Sequence, residues 1–205
     1  PVLGFVPSVV KAATAVFTHA RFGKCTDQAS RKTNHFLAFY GFLALFIVTS
    51  WAVVDLYLMP LIGVESLYPF NLMHPMKILA NVGGILLIIG AAKAILTRMN
   101  APADGKHQST SFDWIFVWLL LLVGVTGFIT EVFRFSVDPD VVSAIHNVAY
   151  GFYFVHLVMV FGLLVYLPYS KFAHIWYRTV AMIYAEHTGR IQEGQSLVQV
   201  AGTTD

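Results

Sequence analysis

The chain has 205 residues, of which 57% are hydrophobic, 15% aromatic and 12% charged, with a mean hydropathy of +0.68. Globular domains carry about 25% charged residues, so this chain has too little polar surface to clothe a water-soluble fold, and disordered, nucleic-acid-binding and secreted disulfide-rich classes are disfavoured together. The 13 basic and 11 acidic residues nearly cancel to a net +2, so their placement carries the information, and the single cysteine, Cys25, excludes an internal disulfide and any all-cysteine iron–sulfur or zinc site.

Residues 1–33 are interrupted by Pro7, Lys11 and His19 and read as an amphipathic segment on the membrane surface, with Val9, Val10, Ala13, Val16 and Phe17 at helical spacing. The chain starts at Pro1 without a signal-peptide pattern, so an excerpt or processed part of a longer polypeptide is expected. Four apolar segments follow, at 34–59, 74–98, 112–135 and 141–167. Each is long enough for a bilayer core, which needs about 20 helical residues. Pro60 bounds the first, Pro75 fits the first turn of the second, Ser111 is placed to cap the third, and Pro168 ends the fourth. Gly83, Gly84, Gly90, Gly124 and Gly127 read as close-packing positions between helices. A second amphipathic segment, 169–190, carries Ile175, Trp176, Val180, Met182 and Ile183, and a polar tail occupies 191–205. The expected fold is all-α: an integral membrane four-helix bundle over 34–168 with flanking amphipathic cytoplasmic helices.

Charge sets the orientation. Lys11, Arg21, Lys24, Arg31, Lys32, Lys93, Arg98, Lys106, Lys171, Arg178 and Arg190 flank one side of the spans, and only Lys77 and Arg134 the other, which is 11 against 2 of the 13 basic residues. The positive-inside rule then puts both termini in the cytoplasm of a multi-pass protein of the inner (cytoplasmic) membrane.

Ionisable residues inside lipid are expensive and point to function. His156 lies mid-span among Tyr153, Phe154, Val155, Leu157, Val158 and Met159. A neutral imidazole there needs a partner for each nitrogen. A haem iron and a backbone carbonyl would supply both, and so in part would a neighbouring helix. His35 opens the first span and His174 follows the fourth at the same inner face, where two histidines can clamp a haem and Arg31 and Arg178 can meet its propionates. His156 and His174 are 18 residues apart, five turns and about 27 Å along an unbroken helix. His107 and His187 read as solvated surface groups, and His19 as a surface histidine.

Residues 156–190, HLVMVFGLLVYLPYSKFAHIWYRTVAMIYAEHTGR, together with HARFGKC, RKTNHFLAFYGF, HPMKILANVGG and DWIFVWLLLLVGVTGFITEVFRF, resemble the membrane cytochrome b subunits of the respiratory nitrate reductase gamma and heterodisulfide-reductase-like group. The likeness is strongest to the C subunit of the quinone-interacting membrane-bound oxidoreductase (Qmo). This resemblance implies a haem b protein with two haems, or at least one. It would transfer electrons between membrane quinone, such as menaquinone, and cytoplasmic iron–sulfur or flavoprotein subunits, as in sulfate and sulfur energy metabolism. The chain would then be the electron-transfer subunit of a membrane oxidoreductase complex, with lipid around it and no nucleic acid as partner. The group's last-helix ligands match His156 and His174, and its first-helix ligand to the inner haem matches His35. Its second first-helix histidine falls on Leu45, so either His156 has another partner, with His74 preferred over His146, or that haem is missing or five-coordinate.

Lys77 follows His74 by three residues and matches a lysine near the group's quinol site. An imidazole and a cation there would hold a quinone carbonyl and accept a proton. Glu131 is a candidate proton exit, with a local pair to Arg134 as the plainer role, and Asp55 is a second candidate exit, with simple solvation as its plainer role. The rival function is a haem-free proton-coupled transporter or channel that uses the intramembrane histidines as a relay.

Overall fold

A computed structural model of the chain describes residues 3–18, 29–100, 110–136, 144–170 and 173–190. All of its regular structure is helical: α1 (Phe5–Phe17), α2 (Ala29–Val53), α3 (Pro75–Met99), α4 (Ser111–Ser136), α5 (Ala144–Tyr166) and α6 (His174–Thr188). Helices α2 to α5 fall on the four expected spans and are long and apolar enough to cross a membrane. The chain forms two compact units, residues 29–166, and residues 1–28 together with 167–205.

The first span differs from expectation at its C-terminal end. Pro60 does not stop it: α2 runs into a π-helical turn, Val54–Leu58, then a 3-10 turn, Met59–Ile62, in which Pro60 sits where no N–H is needed. Gly63, at φ +78°, closes the segment in the left-handed region that glycine tolerates. At α4 the cap is Thr110, with Asp113 in place of Ser111: Asp113 accepts from the Thr110 N–H at 3.1 Å and hydroxyl at 3.0 Å, the reach-back half of a capping box. Pro168 ends α5 as expected, within a 3-10 turn. His174 opens a new helix, so it does not share one continuous helix with His156.

The larger unit is a row. Helix α2 packs on α3, α3 on α4 and α4 on α5, whereas among the described residues α2 and α5 form no comparable pair. The central helices bury 33% and 28% of their spans, against 6% for α2 and for α5. Leu87, Ala91, Ile95, Val117, Leu120, Val123 and Leu163 form the core, while Phe46, Ile47, Phe154 and Leu164 point outward, as lipid allows.

Small residues make the α2–α3 seam. A Cβ on Gly41 would lie 2.5 Å from the Leu87 amide nitrogen, and one on Gly83 would lie 2.8 Å from the Ala44 Cβ. A Cβ on Gly90 would run into the Ala38 backbone. The expected packing role holds for Gly83 and Gly90, to which the structure adds Gly41, but not for Gly84, where an added Cβ would meet nothing within 4 Å, and the backbones are too close to admit a flat cofactor between α2 and α3. Asn34 locks the other end of the seam, donating to Thr97 Oγ1 at 2.8 Å and to the Lys93 carbonyl at 3.2 Å.

In the smaller unit α1 packs on α6 through Ser8 and Ala12. Lys11 pairs with Glu186 at 2.6 Å, and His187 Nδ1 donates to the Leu3 carbonyl at 2.7 Å. His187 is therefore a helix-to-terminus tie and not the solvated group expected. Phe5, Val6, Val10, Trp176 and Val180 remain exposed, which gives each helix the apolar face of an amphipathic segment.

Gly41→Val or Gly90→Val is expected to cost about 1–3 kcal/mol or more, because the added atoms meet backbone that cannot yield. Gly162→Ala, whose Cβ would meet nothing within 4 Å, should be neutral. Thermal unfolding in detergent checks this, and equal midpoints for all three variants would contradict the seam.

Candidate functional site

His156 sits half-buried in the middle of α5, against α4. Its Nδ1 lies 3.0 Å from Thr126 Oγ1. The Thr126 hydroxyl has one proton and gives it to the Leu122 carbonyl at 2.7 Å, one turn back. The ring also bonds the Val123 carbonyl, so it donates to α4, and in the tautomer that donates from Nδ1 the lone pair lies on Nε2. Gly127 supplies the space: a Cβ there would stand 2.9 Å from His156 Cε1. The glycine read from the sequence as general packing is thus the seat of this ring.

This is the form a metal-bound imidazole takes, with one nitrogen fixed by a hydrogen bond and the other free to ligate. The donor chemistry at His156 therefore fits a haem iron. Among the described residues no three His, Cys, Asp or Glu side chains converge as for a bare metal ion. A haem iron needs fewer, since the porphyrin supplies four nitrogens.

Contacts across the row give the levels. Gly127 lies beside His156, Gly124 beside Ile88, and Gly83 beside Ala44. His156 is thus level with Ile85 on α3 and with Phe42 and Leu43 on α2. His35 stands seven or eight residues away along α2, about 11 Å toward the opposite end from His74, which is about eleven residues along α3 from that level. His146 is ten residues along α5, about 15 Å. The structure brings neither His74 nor His146 to the level of His156. His35 stacks on Phe39 at 6.2 Å, and His146 on Tyr150 at 5.6 Å. The side chains of His174 and Arg31 lie outside the described residues, as do His19 and His107 entirely, and Arg178 is exposed on α6.

His74 has a definite task. It caps α3, its Nδ1 accepting from the Met76 N–H at 3.3 Å, while its ring stacks on Phe70 at 4.5 Å and 8°. In that role Nδ1 is bare and Nε2 carries the proton, so the ring is a donor on its other side.

Beside it is a built polar cluster. Lys77 Nζ pairs with Glu131 Oε2 at 2.8 Å, with only 14% and 16% of the two side chains exposed. Lys77 neither snorkels to the surface nor stands alone. Glu131 serves α3 instead of its neighbour Arg134, which donates to the Phe70 carbonyl at 3.0 Å. Both cations lie over the Phe135 ring, at 5.8 and 5.0 Å. Asp55, expected to be solvated, is 4% exposed and accepts from Ser66 Oγ at 2.7 Å and the Tyr68 N–H at 2.9 Å. Sequence reasoning missed Thr126, Asp55 and Phe70. The one signal for Thr126 was its place in a small-residue cluster, Gly124 to Gly127.

Fold and site together define a helical, multi-pass membrane protein with a half-buried imidazole bonded to the neighbouring helix in mid-span and a partly buried charge cluster at one end. The chain is 32% identical over 179 residues to citrate utilization protein B of Escherichia coli, covering 84% of this chain and 43% of that protein. It is 25% identical over 155 residues to the E subunit of the dihydromethanophenazine:CoB–CoM heterodisulfide reductase of Methanosarcina thermophila, covering 71% of this chain and 54% of that one. With the corresponding E subunit of Methanosarcina acetivorans it shares 26% over 151 residues, 69% and 53% of the two chains. The chain spans about half the length of the curated relatives it matches. No family model and no solved structure matches it. The similarity reaches the heterodisulfide reductase E subunits and does not single out the Qmo C subunit.

Removing one member of the Lys77–Glu131 pair leaves a charge in a poorly hydrated site, so Glu131→Leu should destabilise the protein by about 3 kcal/mol, and Lys77→Met with Glu131→Leu by clearly less. A double-mutant cycle on unfolding in detergent measures the coupling. Additive losses would show that the pair contributes nothing.

Proposed function

We propose that this chain is the haem b-bearing membrane subunit of an oxidoreductase complex, passing electrons between a lipid-soluble quinone-type carrier and cytoplasmic iron–sulfur or flavin partners. The observation that carries this reading is the mid-span imidazole of His156, held against α4 through Nδ1 and Thr126. The similarity to the heterodisulfide reductase E subunits supports it, because the name of that enzyme couples a dihydro carrier to a disulfide acceptor. The carrier end of such chemistry is the class to which menaquinol belongs. Sulfur metabolism, as for the Qmo-like group, is the setting we assign to the soluble partner.

Haem, when bound, supplies one-electron transfer. The chain's own residues do the rest. His156 would hold one iron, with Thr126 orienting the ring and raising its basicity and Gly127 giving it space on α4. His35 and His174, with Arg31 and Arg178, would hold the second haem. The glycine seam bars a macrocycle from between α2 and α3, which leaves the α2 and α5 side of the row. At the outer end, His74 Nε2–H and Lys77 donate to a quinone carbonyl. Over the full oxidation the hydroquinone's two hydroxyl protons leave in turn through the Glu131 carboxylate, which accepts each and releases it outward, while its two electrons would leave one at a time to the haem. Both termini are assigned to the cytoplasm of the inner membrane by the 11-to-2 charge asymmetry.

The pyridine haemochrome of the purified chain tests this. His35→Ala, His174→Ala and His156→Ala should each lose a share of the haem. Thr126→Val should retain it but raise the midpoint potential of one component by on the order of tens of mV, where about 59 mV is a tenfold change for one electron. A chain that folds without haem favours the proton-relay transporter, and full haem in all three histidine variants would overturn the ligand assignment.

A further inference from the structure

We propose that Asp55 is a positioning residue for the outer carrier site, latching residues 60–73 as a strap that sets the geometry of His74. The inference rests on reading that end as the quinone-type site, but its structural basis is independent. The π-helical turn Val54–Leu58 places Asp55 at 4% exposure, although it lies on the most exposed side of the row. Oδ2 gathers two donors from the strap, Ser66 Oγ at 2.7 Å and the Tyr68 N–H at 2.9 Å, and the same N–H lies 3.1 Å from Ser66 Oγ. Tyr68 meets Phe70 edge-on at 5.6 Å.

Phe70, 4% exposed, is the hub. Its ring covers one face of the His74 imidazole at 4.5 Å, and its carbonyl accepts from Arg134 at 3.0 Å. Arg134 and Lys77 share Phe135, and Lys77 holds Glu131. A single carboxylate on α2 is therefore joined by consecutive contacts to the groups on α3 and α4 that would meet the carrier. With the latch closed, the ring of His74 can present only its other face and its Nε2–H. Without the latch the Phe70 stack is free to lift, and the carrier must order it on binding. The consequence is weaker carrier binding with little change in the transfer that follows.

The test uses the full haem-loaded chain in liposomes, a soluble naphthoquinol as carrier, and haem reduction as the signal. Asp55→Ala should raise the half-saturating quinol concentration about tenfold, as expected for loss of hydrogen bonds to a charged group, with the limiting rate within about twofold. Ser66→Ala should give a smaller rise in the same direction and keeps the test valid if Asp55→Ala fails to fold. Asp55→Asn, which keeps an acceptor oxygen, should recover most of the affinity. A spin label on Leu67→Cys in a Cys25→Ser background should gain mobility in Asp55→Ala and Ser66→Ala. Unchanged half-saturation in both latch variants, while Lys77→Met or Glu131→Gln impairs the quinol reaction, overturns the role of Asp55. If Lys77→Met and Glu131→Gln leave the quinol reaction untouched, the carrier reading of the site fails, and the spin label alone then decides whether the latch exists.

Discussion

A polar group in hydrocarbon has no water to turn to, so each one must find its partner inside the protein or be driven out of the span. That requirement organises this molecule. Among the described residues of the spans and their ends, several polar side chains are matched to a specific atom on another element. Asn34 bonds α3, His156 bonds Thr126, Lys77 bonds Glu131, and Asp55 bonds the strap that follows it. Each pairing fixes a height and a rotation, which the apolar contacts alone would leave loosely specified. His156 differs from the others in having a second ring nitrogen: with Nδ1 bonded to Thr126, Nε2 is the atom our proposal gives to iron.

The glycines act on the same problem from the side of space. Gly41, Gly83 and Gly90 bring α2 and α3 together until backbone meets backbone, closing that seam. Gly127 makes room on α4, and the space is taken by an imidazole. Close packing at one interface and a seated ligand at another are thus two uses of one residue type. They leave the row open at α2 and α5, the two helices with the least burial.

The spans and their class could be read directly from the sequence, because apolar runs of this length are what a bilayer core selects and little else requires them. His156 was legible for the same reason, as an imidazole with nothing polar near it in sequence. Its hydrogen-bond partner was not, because Thr126 is an ordinary helix residue 30 positions away, brought near by helix packing that hydropathy does not encode. The outer charges were misread in a consistent direction. Glu131 and Arg134 look like a local pair, yet their partners are Lys77 on α3 and the Phe70 carbonyl in the strap. Asp55 looks like a surface acid because Pro60 looks like a stop. The π turn that carries the helix past both, and turns Asp55 inward, has no signature in the hydrophobic pattern.

The central claim is that this chain joins a membrane carrier to a haem held from α5. Rapid mixing of the haem-loaded protein in liposomes with a menaquinol analogue, followed at the haem b absorption bands, tests it most directly. The account predicts reduction by the quinol, abolished for one haem component by His156→Ala and slowed by Glu131→Gln. A haem that dithionite reduces fully but the quinol does not reduce would contradict it.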